Sequence, residues 1–116
     1  MTDAPTHMTA DDKDREQPAP PVFVEIPEGL EELVPEYLSS RKEDVVALRR
    51  LLSCSEMDGI RSIAHNLKGN GSAYGFPRLT ELGAAIERSV RESDHAALRE
   101  QISALGDYLN RVQLRP

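Results

Sequence analysis

Tryptophan is absent from this chain of 116 residues, and three tyrosines and two phenylalanines are all its aromatic side chains. An apolar set made almost wholly of Leu, Ile, Val and Ala suits packed helices better than a β-sandwich, which draws on β-branched and aromatic runs. Cysteine occurs once, at Cys54, so a disulfide framework and a cysteine-ligated metal are excluded. Cys54 reads as a small residue near a helix end. No apolar run approaches the ~20 residues that cross a bilayer, and the N-terminus lacks a hydrophobic signal core. The expectation is a cytoplasmic protein with no membrane role. Basic residues are the minority, 14 Lys and Arg against 20 Asp and Glu, for a net charge of -6. No basic stripe is available to neutralise phosphates, which argues against nucleic acid as a partner. A glycine-rich nucleotide loop of the P-loop kind is also missing, and the length allows one small domain with a single core.

The chain divides by composition. Residues 1–26 hold Pro5, Pro18, Pro20 and Pro21, and carry six acidic residues against Lys13 and Arg15. Low hydrophobicity, charge and proline predict a disordered tail or linker. Within it, "PVFVEI" is the one stretch able to form a short extended piece. Residues 27–116 read as helical throughout. Pro27 suits a first helical position, followed by Leu30, Leu33, Val34, Tyr37 and Leu38 on one side. Ser40 to Glu43, "SRKE", has capping-box spacing, and Val45, Leu48 and Leu52 extend the stripe, as one bent helix or as two. Ser55 to Asp58, "SEMD", opens a helix with Ile60, Ile63, Ala64 and Leu67 inward. Gly75 reads as its left-handed C-cap, with Phe76 as the hydrophobic contact and Pro77 opening the next helix. That helix carries Leu79, Leu82, Ile86 and Val90. Ser93-Asp94 caps the last, whose Leu98, Ile102, Leu105, Leu109 and Val112 form a bundle seam. Short connections imply antiparallel neighbours. The expected fold is all-α: an antiparallel four-helix bundle with a short additional N-terminal helix.

One stretch resists a purely structural reading. "HNLKGNGSAYG", His65 to Gly75, places Gly69 and Gly71 where each costs a helix interior roughly 1 kcal/mol relative to alanine. At about 100° per residue, Ile63, Ala64, Leu67 and Gly71 fall within about 60° of Ile60 and define the buried face. His65 lies about 140° away and points outward. Its neighbours on that side are Arg61, Lys68, Gly69 and Ser72. Gly69 removes the side chain that would stand one turn above the imidazole and leaves a ring nitrogen open to a large partner. An exposed imidazole is mostly neutral at pH 7 and has a lone pair to act as a nucleophile, and Lys68 can pair with an anion attached to the ring. An outward histidine, an adjacent lysine and a cleared approach describe a group that accepts and passes on a phosphoryl unit. Gly71, inward, allows close helix packing.

These residues resemble the histidine-containing phosphotransfer (HPt) domain family, whose pattern is His-x-Leu-Lys-Gly and a second glycine six residues after the first. His65, Leu67, Lys68, Gly69 and Gly75 match it, and Leu79 fits the hydrophobic position beyond. The resemblance covers about residues 27–112. It implies a four-helix bundle with the histidine on its second long helix, His65 as the phosphorylated residue, Lys68 steadying the phosphoryl group and Gly69 giving access. It implies partners as well: response-regulator receiver domains, a sensor histidine kinase, or both. Mg2+ would come from the receiver, with no cofactor or metal held by this chain, which would act as a monomeric carrier and not as a kinase. Asn70-Gly71 departs from the small hydroxyl residues common there. On the facing helix Glu87 and Arg91 are candidates to flank the imidazole. Other readings stay open: a phosphoacceptor domain of a larger histidine kinase, and a non-phosphorylated interaction module. His7 and His95 read as solvated, and no His/Glu pair has metal-ligand spacing. Arg49, Arg50, Arg88 and Arg91 read as solvated faces, or as contacts for an acidic receiver surface.

Overall fold

The computed structural model describes residues 20–114. Four helices follow one another: α1 (Val34–Ser53), α2 (Met57–Asn70), α3 (Pro77–Arg91) and α4 (His95–Arg111). Each packs on its neighbours in the cyclic order α1, α2, α3, α4 and back to α1. The core gathers between them, with Leu48 from α1, Ile60 and Leu67 from α2, Leu79 and Ile86 from α3, and Leu98 and Leu105 from α4, all essentially sealed from solvent. An aliphatic core at helical spacing is what the composition foretells, and burial of each such side chain contributes about 1.5–3 kcal/mol.

Helix ends follow local chemistry in some places and depart from it in others. Asp94 caps α4 as expected, its carboxylate accepting from the Ala97 amide at 3.0 Å. Gly75 is left-handed at φ 95°, and Phe76 beside it is fully buried. The residues before it differ from a continuous helix: α2 ends at Asn70, and Ser72–Tyr74 form a 3-10 turn, α2 and the turn joined at Gly71. Ser72 therefore lies outside α2, its amide donating to Thr80 Oγ1 at 2.8 Å. The expected box at Ser40 lies inside α1, which is one unbroken helix of 20 residues. Ser55 makes no cap either; it sits at φ 57°, and Glu56 takes the N-cap position of α2.

Among the described residues, no additional helix precedes α1. Residues 28–33 make successive turns instead, Leu30 donating to the Pro27 carbonyl and Leu33 to that of Leu30. Gly29 at φ 91° breaks the helical path, and Pro35 would remove a hydrogen bond from any helix begun at Pro27. Pro35 instead stands in the first turn of α1, where its missing N–H costs nothing.

The predicted tail also needs correction over its last residues. Val22–Val24 form strand β1, paired in parallel with β2 (Val112–Leu114), Val22 beside Val112 and Val24 beside Leu114. Val22, Val24, Ile26, Val112 and Leu114 all pack against the core. Val112 thus leaves the α4 seam for a strand. Residues 1–19, the rest of the predicted tail, lie outside the described residues.

Candidate functional site

The geometry around His65 begins with a glycine on another helix. A Cβ placed on Gly83 of α3 would stand 2.5 Å from the Lys68 amide nitrogen and 2.7 Å from the Ala64 carbonyl oxygen. Both are backbone atoms of α2, which cannot swing aside. Glycine therefore lets α3 press onto α2 at the turn that carries His65. Gly71 does the same one end along, where a Cβ would meet the Thr80 amide at 2.7 Å. Gly71 is legible in the sequence as an inward glycine; Gly83 stands with Leu79 and Leu82 on the buried stripe of α3, a position that local pattern alone does not single out.

Glu87 lies one turn beyond Gly83, so the close approach delivers its carboxylate to α2. Oε2 lies 3.0 Å from His65 Nδ1, and Oε1 accepts from Lys68 Nζ at 3.1 Å. The carboxylate is mostly covered, at 12% exposure, while the imidazole is open at 70%. The hydrogen bond from Lys68, and after it that from His65, holds the Glu87 carboxyl below the usual carboxylate range. At neutral pH it is ionised and can only accept. In the neutral ring, Nδ1 of His65 therefore carries the proton and Nε2 the lone pair. Glu87 was a candidate from sequence and stands in contact. Arg91 does not: it is exposed at the end of α3 and makes no ion pair or hydrogen bond among the described residues.

Gly69 presents the opposite surrounding to Gly83. A Cβ built there meets nothing within 4 Å. The space above the imidazole is open, and no packing demand accounts for the glycine. Asn70, the unusual residue beside it, accepts through Oδ1 from the Tyr37 hydroxyl at 2.6 Å and ties the end of α2 to α1. The Tyr37 ring stacks on Tyr74 with centroids 4.1 Å apart, and burial pushes its hydroxyl pKa up. That cluster steadies the α2 end from behind.

Among the described residues no group of three His, Cys, Asp or Glu side chains could hold a metal, and no helix is long and apolar enough to cross a membrane. No curated protein and no solved structure gives a significant match to the chain. The family model of the Hpt domain matches residues 15–114. Domains of that family are phosphotransfer carriers of two-component phosphorelays, working with receiver domains and histidine kinases and distinct from the kinases themselves. With the match running through all four helices and both strands, this chain belongs to the Hpt domain family.

Proposed function

We propose that this chain carries phosphoryl groups on His65 Nε2, taking them from and returning them to receiver-domain aspartates in a multistep phosphorelay. The observation that carries the reading is the Glu87 contact with Nδ1, which in a neutral ring favours the lone pair on Nε2, with open space at Gly69 one turn along the same helix. In the forward step the Nε2 lone pair attacks the phosphorus of an aspartyl phosphate, the N–P bond forms, and the P–O bond breaks to release a carboxylate. No proton has to move. The ring becomes a cation that still donates from Nδ1 to Glu87, and the Glu87 carboxylate offsets the new charge. In the reverse step the aspartate attacks and the neutral imidazole leaves. Lys68, half exposed, can turn from Glu87 to the phosphoryl oxygens. Transfer of this kind is mainly positioning and charge stabilisation, with Mg2+ contributed by the receiver.

The test is incubation of the chain and of its His65→Gln variant with a phosphorylated receiver domain. The parent should take up acid-labile, base-stable label, and the variant none, with unchanged helical content. Label retained by the variant would overturn the assignment. An unlabelled parent would instead favour the interaction-module reading.

A further inference from the structure

Away from the α2–α3 seam, α1 and α4 leave a hollow of about 450 Å³ between them, and both helices line it with the same short pattern. On α1 the pattern is Arg49, Leu52 and Ser53; on α4 it is Arg99, Ile102 and Ser103. An arginine, an apolar residue three positions on and a serine four positions on share one helix face, so each helix turns all three to the hollow. The two helices run in opposite senses here. Val45 stands against Gly106, so one turn further on Arg49 comes level with Ile102 and Ser103, and Ser53 with Arg99. A local two-fold therefore relates the two patterns. The arginines stand at opposite ends, ~6 Å apart along the seam, with Leu52 and Ile102 between them.

Both guanidinium groups face that space uncompensated. Neither Arg49 nor Arg99 has an ion pair or hydrogen bond among the described residues, whereas Arg41, Lys68, Arg78 and Arg111 are each paired. The chain holds 20 acidic residues, yet none lines the hollow. Arg49 lies across the seam: a Cβ on Gly106 of α4 would come to 3.0 Å from its Nη2. Two like charges around one hollow repel each other, and anions between them remove that repulsion. The hydroxyls supply further donors. That of Ser103 has no partner among the described residues, and that of Ser53 donates to the Arg50 carbonyl at 2.7 Å and can turn from it.

We propose that this hollow binds a small organic bis-anion: an apolar or flat body seated on Leu52 and Ile102, with one phosphate or carboxylate group on each arginine. A guanidinium takes either anion with two parallel N–H donors, and charge-assisted bonds of this kind are the strong ones. The hollow has the size of a small-molecule site and the mixture such sites show, an apolar floor with a few convergent polar groups. Bound there, the ligand ties α1 to α4 and stabilises the bundle by mass action. His65 stands on α2 with Glu87 of α3 against it, so the two sites share no residue.

The test is a titration of the isotope-labelled full chain, followed by amide NMR, with hydroquinone bisphosphate and with terephthalate. At least one should bind saturably with a dissociation constant below about 1 mM, moving the amides of residues 49–53 and 99–103. The tighter of the two identifies the anion as phosphate or carboxylate. Phenyl phosphate and benzoate, with one anionic group each, should bind at least tenfold more weakly. The bis-anion should lose as much affinity for Arg49→Gln and for Arg99→Gln. Both arginines are exposed and unpaired, so both variants should melt near the parental temperature. The proposal is overturned by no saturable shift with either probe, by shifts centred elsewhere in the chain, or by single anions binding as tightly as bis-anions. Either variant binding as tightly as the parent overturns it too.

Discussion

Two seams of this bundle are made from the same residue types and close differently. Between α2 and α3, glycines at positions 71 and 83 leave no space: a Cβ on either would meet backbone atoms at 2.5–2.9 Å. Between α1 and α4, a Cβ on Gly106 would meet first the Arg49 guanidinium, the end of a long flexible side chain, at 3.0 Å. The first seam holds Glu87 against His65 and Lys68. The second holds hollows lined by cations. What separates a seam that fixes His65 against Glu87 from one that only closes a core is whether backbone or side chain fills the gap. Backbone cannot change rotamer, so it transmits position from helix to helix.

Gly83→Ala is the sharpest way to break the contrast. Forcing α3 off the α2 backbone should cost about 1–3 kcal/mol or more, an overpacking cost that lowers Tm on the order of 10 °C. The same variant should lengthen the Glu87 to His65 bond and slow phosphoryl transfer. A melt at the parental temperature would mean that the seam yields as easily as the other.

Removing residues 1–26 tests a region outside both seams. A polar tail would leave the melt unchanged, but Val22, Val24 and Ile26 pack on the core. Their loss should cost about 1–3 kcal/mol by apolar area, several degrees in Tm. Circular dichroism melts of both chains decide it.

Gly106→Ala should act in the opposite direction to Gly83→Ala. The Arg49 end can move, and alanine gains up to about 1 kcal/mol in a helix interior, so Tm should rise by a few degrees. A fall like that of Gly83→Ala would erase the distinction between the seams.

Gly69→Ala should gain less than about 1 kcal/mol, since the site is open and close to the helix end. Gly69→Gln should be as stable and transfer more slowly, because its side chain stands over Nε2. Stopped-flow transfer rates beside thermal melts distinguish access from packing; parental rates in both variants would remove the access role.

The smallest effect concerns pH. The folded carboxyl of Glu87 titrates below the ordinary carboxylate range. Its stabilising contribution is therefore complete above the unfolded pKa and is lost as pH falls through the lowered folded value. Between pH 5 and 7 the Glu87 to His65 contact should persist. Carboxyl-carbon NMR should find Glu87 titrating below the ordinary carboxylate range, and a midpoint within or above that range would contradict the ion-pair geometry.

By itself the sequence determined the helices and their inward faces, because apolar spacing at 3.6 residues is a local property. It also determined the outward direction of His65, the vacancy at Gly69 and the left-handed Gly75, each readable within one or two turns. Tertiary structure alone decided the rest. Glu87 reaches His65 only because Gly83 lets two backbones touch, a contact between residues 22 positions apart. β1 exists because β2, at the far end of the chain, offers it a partner; "PVFVEI" by its composition reads as tail. Residues 28–33 form turns because Gly29 and Pro35 together outweigh the apolar stripe. Strand pairing and helix approach depend on which distant backbone arrives, and local pattern carries no information about that.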